Sequence, residues 1–222
     1  MNAKRNLIVS GALFTVMLTA WPVMMAIARP TGSIEQQLQW VAGHSLLFKM
    51  QFLLALLIAP AIVYLMLAQL NKLQTADNIS KRFGMVFLSA YVVLNSVSYA
   101  SQAVLLPRFL AAGQMEFARA WYFASPMSVS YFINQLGYCF WGIAAIALFF
   151  GTMRGQRLPG LIAAFYFLSS LLSIMAFAGL LFDSRVLMRL TMPGGLVLFP
   201  VGILTMAWGL QGDPANAPEA SN

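Results

Sequence analysis

The sequence predicts an all-α fold, a polytopic membrane helix bundle with about six transmembrane helices. Three observations predict it. Of 222 residues, 60% are hydrophobic and only 9% charged, where soluble domains carry roughly a quarter. The mean hydropathy is +0.78. The apolar residues also fall in long runs, most of them near the ~20 residues that cross a ~30 Å hydrocarbon layer at about 1.5 Å per residue.

The runs are residues 7–27, 46–70, 85–106, 129–150, 161–182 and 194–210, which place the transmembrane domain within 1–211. The first has a rival reading. Lys4 and Arg5, an apolar stretch and then Ala26-Ile27-Ala28 resemble a secretory signal with its cleavage site, but a run of about 20 residues exceeds the usual ~7–15 of a signal peptide. A retained first helix is therefore expected. On it, Gly11, Thr15 and Thr19 recur every four residues, a small-residue face suited to close helix packing. Pro60 lies inside the second run and removes one backbone hydrogen bond there. The sixth run is short, and Pro193, Gly194, Gly195 and Pro200 weaken it as a helix. The tail 212–222, rich in Pro, Ala and Asn, is expected to be disordered.

The connections set the expected orientation. With the N-terminus inside, Lys4, Arg5, Lys72, Lys81, Arg82, Arg154 and Arg157 are cytoplasmic, against Arg29, Arg108, Arg119, Arg185 and Arg189 outside. The inside loops are the short ones, where positive charge acts most strongly. This predicts a bacterial inner-membrane protein with both termini in the cytoplasm. Two outside connections carry structure of their own: Ser33 with Gln36 forms a capping-box pattern, and residues 111–123 mix Phe117, Trp121 and Tyr122 with Glu116 and Arg119, as in a helix lying at headgroup level.

Several functions are argued against by what the runs lack. None of the six contains Asp or Glu, the usual intramembrane proton carriers and hard-cation ligands. His44 is the single histidine, which excludes bis-histidine haem and leaves zinc without ligands, so no cofactor or metal is expected. Ser45 points about 100° away from His44 on a helix, and no Gly-flanked serine motif marks a nucleophile. Cys139 is the single cysteine, so no intrachain disulfide forms. The basic residues are dispersed between apolar runs, which suits lipid contact and not nucleic acid.

The remaining signal is a polar constellation. On the third run Asn95, Tyr99 and Gln102 share a helix face, and on the fourth Tyr131, Asn134, Gln135 and Tyr138 share another. On the second, His44 and Gln51 are seven apart and Lys49 is near their level. Under the expected topology these groups converge towards the outer side, where they would line a cavity narrowing towards Asn95 and Tyr138. Two readings stay open: the stripes line a site for a small neutral or zwitterionic molecule, or they are interhelical glue in an accessory or sensor subunit. In the second, small-residue faces such as Gly11-Thr15-Thr19 and Ser96 to Ala100 would meet a membrane-protein partner or a second copy.

Tyr64 followed by Asn71-Lys72, Tyr91, and Arg157-Leu158-Pro159 together resemble a family of uncharacterised bacterial six-helix membrane proteins, a domain of unknown function. The resemblance implies a fold without a known activity. Members often carry Arg and Glu in the third helix, where this chain has Asn95 and Ser98.

Overall fold

A computed structural model describes residues 3–73, 78–149 and 157–211. The tail 212–222 and Arg154, on which two of the expectations above rest, lie outside the described residues. Within them the chain is helical with no strand, and six segments are long and apolar enough to cross a membrane: Ala3–Ile27, Ser45–Lys72, Ile79–Ala111, Val129–Phe149, Arg157–Leu181 and Arg185–Leu210.

The elements in chain order are α1 (Ala3–Ile27), α2 (Ile34–Gly43), α3 (Ser45–Lys72), α4 (Ile79–Ala100), a π-helical stretch Ser101–Leu105, α5 (Leu106–Ala111), α6 (Met115–Trp121), α7 (Val129–Phe149), α8 (Arg157–Leu181), α9 (Arg185–Met188), α10 (Thr191–Leu196) and α11 (Phe199–Leu210). The capping box starts α2 as its residues predict: the Ser33 hydroxyl accepts from the Gln36 N–H, and the Gln36 side chain accepts from the Ser33 N–H at 2.9 Å. Pro60 does not interrupt α3, which runs through it as one element.

The sixth span is broken, in keeping with its Pro and Gly content. Helical backbone stops after Met188 and again after Leu196, leaving α11 with 12 residues. At ~1.5 Å per residue that helix covers about 18 Å, and α10 with its flanking turns completes the crossing. Gly194 makes this compact. A Cβ there would approach Leu172 Cβ to 3.3 Å, and the bare backbone lets the Ser169 hydroxyl donate to the Gly194 carbonyl.

The six spans form a closed ring in sequence order, α1 to α3, α4, α7, α8 and α11, with α11 returning to α1. That closure rests on glycine. A Cβ on Gly11 would lie 2.6 Å from the Gly202 carbonyl oxygen, and one on Gly202 would meet the Gly11 carbonyl oxygen at 2.8 Å and clash with the Thr15 hydroxyl. The Gly11-Thr15 face therefore seats α11 of the same chain and is not left for a partner.

One end of the bundle carries both described termini. The opposite end, here the capped end, carries α2, α5 and α6, and two buried clusters follow this division. Leu7, Ile62, Met66, Leu88, Trp141, Phe149 and Val201 belong to the larger one, in the body of the ring. Leu38, Val41, Phe48, Phe52, Leu106 and Tyr122 belong to the smaller one, beneath the cap. Outward-facing Val86, Val93 and Val97 on α4, and Leu161, Leu168 and Leu171 on α8, remain exposed as a lipid-facing surface.

Candidate functional site

The stripes read from the sequence face each other across the α4–α7 contact. Asn134 Nδ2 donates to Asn95 Oδ1 at 2.6 Å, and Asn95 Nδ2 donates back to the Tyr91 carbonyl at 3.3 Å. One level towards the capped end, the Ser98 hydroxyl donates to the Ser130 carbonyl at 2.9 Å. The Tyr99 and Tyr138 hydroxyls lie 3.0 Å apart. Gly137 makes the close approach possible, since a Cβ there would collide with the Asn95 amide. Asn95, Asn134 and Tyr99 are thereby buried and matched within the protein.

Gln102 has a different task. Its Nε2 donates to the Trp121 carbonyl at 2.6 Å and its Oε1 accepts from the Phe123 N–H at 3.0 Å, so one side-chain amide pairs with a loop backbone as a neighbouring strand would. Gln102 lies in the π-helical stretch, a local widening often found at functional positions. The loop it holds sends Phe123 into the ring's mouth, with ring centroids 5.8 Å from Phe52, 6.1 Å from Tyr99 and 6.1 Å from Tyr131. The Tyr122 hydroxyl donates to Gln37 Oε1 at 2.8 Å, tying this plug to α2.

Gln51 differs from the other amides. It is 93% buried, being 7% exposed, yet its Oε1 has no hydrogen-bond partner among the described residues. Residues 51 and 69 are 18 apart on α3, five turns at about 3.6 residues per turn, so the two glutamines share a face. Gln69 marks what that face looks at: its Nε2 donates to Thr205 Oγ1 on α11 at 2.6 Å, and its Oε1 accepts from the Tyr166 hydroxyl on α8 at 2.9 Å. Gln51 thus faces the bundle interior in the capped half.

Among the described residues, two further polar atoms in the interior are buried without partners, Trp21 Nε1 on α1 and Trp141 Nε1 on α7. Trp21 continues the buried stripe Leu7, Phe14, Leu18 and packs against both hydrophobic clusters. On α7, Tyr131 and Tyr138 lie between the line that meets α4 at Ser130 and Gly137 and the line that meets α8 at Gly142. Tyr138 packs against Tyr91, with ring centroids 5.9 Å apart, and meets the Tyr99 hydroxyl, while Tyr131 packs on Phe123; both are half-buried, whereas Asn134 between them is buried. Gln135, next to this stripe, accepts from Thr191 on α10 at 2.7 Å and so ties the broken sixth span to the same region.

The constellation therefore separates. Gln51 faces the interior of the capped half and Tyr131 packs on Phe123, while Asn95, Tyr99, Gln102 and Asn134 are bound into the walls together with Tyr138, which meets Tyr99. His44 stands apart. It is exposed, with its ring stacked on Trp40 at 4.5 Å and Nδ1 3.0 Å from the Trp40 carbonyl. The seven-residue register with Gln51 does not hold, because the helix restarts at Ser45 after a non-helical His44 (φ −123°, ψ 36°). Lys49 lines a separate cleft with Arg108. The sequence reading missed Trp21, Trp141 and Phe123; the seven-residue spacing from Leu7 through Phe14 to Trp21 was the available signal for the first.

At the opposite end the ring is closed. The Gln69–Tyr166–Thr205 bridge crosses the interior between α3, α8 and α11, and Phe149 stacks on Tyr166 at 4.8 Å beneath it. The arrangement offers neutral hydrogen-bonding groups among aromatic rings, and no cluster of acidic, His and Cys residues suited to a metal occurs among the described residues. No protein-family model, no curated protein and no solved structure matches the chain.

Proposed function

We propose that the chain is a multi-pass inner-membrane protein that binds a small neutral or zwitterionic molecule with an apolar body in the capped half of the ring. Both termini would lie in the cytoplasm and the capped end would face outside. The observation that carries this reading is Gln51 Oε1, buried on the axis-facing stripe with no partner. An unpaired polar group in a closed apolar setting costs about 1–3 kcal/mol, a cost that a ligand donor would offset. Trp21 Nε1 would supply a donor to the same ligand, and the Phe123, Tyr131 and Tyr138 rings would cover its apolar part. Broken helices near such a site, as in the sixth span, recur in membrane transporters. Release to the cytoplasm would require the Gln69–Tyr166–Thr205 bridge to open.

Native mass spectrometry of protein extracted from its own membrane in mild detergent tests the reading. A stoichiometric small molecule should accompany the wild type and be lost from Gln51→Leu, which keeps similar bulk. A Gln51→Leu protein that is more stable, with no molecule lost and no phenotype, would overturn it. A second reading, an accessory subunit, is favoured by the mutual pairing of Asn95 with Asn134 and predicts a stoichiometric protein partner on the lipid-facing surface.

A further inference from the structure

Outside the ring, at the capped end, α3 and α5 enclose a cleft of about 320 Å³, at the lower end of the ~300–1,000 Å³ typical of small-molecule sites. Lys49 and Arg108 line it from opposite helices, with Ser45 beside them and Ala42, Pro107 and Leu110 around them. Neither cation has an ion-pair partner among the described residues. Glu35, the carboxylate of α2, is committed to Arg119 at 2.8 Å. Two like charges that share a cleft without a counter-charge repel each other, and an anion between them removes that repulsion and gains charge-assisted hydrogen bonds.

The position of the cleft says which anion. Lys49 is four residues into α3, about 6 Å below the helix start, the depth from which a lysine reaches up to the headgroup layer. Leu46 and Met50, its neighbours on α3, are 73% and 52% exposed and belong to the lipid-facing surface. The cleft thus opens beside acyl chains and holds its cations at phosphate height, and α3 begins there without a side-chain cap, leaving the positive end of its dipole nearby. We infer that Lys49 and Arg108 bind the phosphate of a membrane phospholipid headgroup, with Ser45 as a further hydrogen-bond donor and Pro107 and Leu110 against the glycerol. This site is independent of the interior one.

The test uses delipidated full-length protein in detergent, with native mass spectrometry and thermal unfolding as readouts. Phosphatidylglycerol, diacylglycerol with the same chains, and inorganic phosphate are added separately. One phosphatidylglycerol should be retained and should raise the unfolding temperature, while diacylglycerol should not. Lys49→Gln and Arg108→Gln should each weaken retention about tenfold, the loss expected when one charge-assisted contact is removed, whereas Arg185→Gln should leave it unchanged. Unfolding without lipid reports whether each variant still folds. Equal retention of the two lipids, or variants that retain phosphatidylglycerol like the wild type, would overturn the proposal. Protection by inorganic phosphate with none by phosphatidylglycerol would place the anion in solution and overturn the lipid as its source.

Discussion

At the scale of single residues, the chain uses chemically similar groups in opposite ways. Asn95 and Asn134 satisfy each other, so replacing either strands its partner in the membrane interior. Asn95→Leu and Asn134→Leu should each cost about 0.5–2 kcal/mol, and the double variant should cost less than the sum of the two. Thermal or chemical unfolding of the three variants in one detergent checks this; strict additivity would mean that the pair is not coupled. Gln51→Leu should move the other way, towards equal or greater stability, since it removes an oxygen that the protein does not pair. Tyr122 gives a pH signature at the capped end. Burial pushes its phenol up to about 12 from the usual 10, so the neutral donor to Gln37 is favoured in the folded state. Its stabilising contribution is complete below pH ~10 and is lost as pH rises towards ~12. The unfolding temperature of the wild type should fall over that window, and that of Tyr122→Phe should fall less.

The helices show what determines whether a feature can be read in advance. Spans were legible because length and hydropathy are local properties: the predicted 46–70 and 129–150 meet Ser45–Lys72 and Val129–Phe149 almost end to end. The weakness of the sixth span was legible too, since Pro193 and Gly195 act on their own backbone, although its start at Arg185 was not. The π-helical stretch was illegible. Nothing in Ser101–Leu105 marks it, and its Gln102 is understood only with the 121–123 loop in place. The face of Gln51 could be guessed from period, but its unpaired state depends on what three other helices bring to the interior. Glycine sorts in the same way. Gly202→Val should cost about 1–3 kcal/mol, because α1 leaves no room beside the Gly11 carbonyl. Gly195→Ala, where a Cβ meets nothing within 4 Å, should be neutral or slightly stabilising. Unfolding temperatures of the two purified variants decide, and equal behaviour would contradict the seating of α11 on α1.

For the whole molecule, the even number of spans among the described residues puts both described termini at one end, and the proposed orientation rests on the basic residues near that end. Activity reporters fused after Thr75 and after Gly113 should read cytoplasmic and external respectively. The reverse result would turn the interior site and the Lys49–Arg108 cleft towards the cytoplasm, and would move the lipid they meet to the other leaflet.

The Gly11–Gly202 seat also has a consequence for how the protein is made. Among the six described spans, α1 finds one of its two neighbours early, in α3, but the other, α11, is synthesised after the remaining five. Until then its glycine groove faces lipid or the insertion machinery, and the ring stands open as a five-membered arc. The Gln69–Tyr166–Thr205 bridge is equally late, because Thr205 belongs to the same helix. Up to that moment the Gln69–Tyr166 hydrogen bond stands without Thr205, so the seal across this end of the ring forms only once α11 has been made. A nascent chain arrested before residue 199 should be recognised by membrane quality-control proteases that ignore the finished ring.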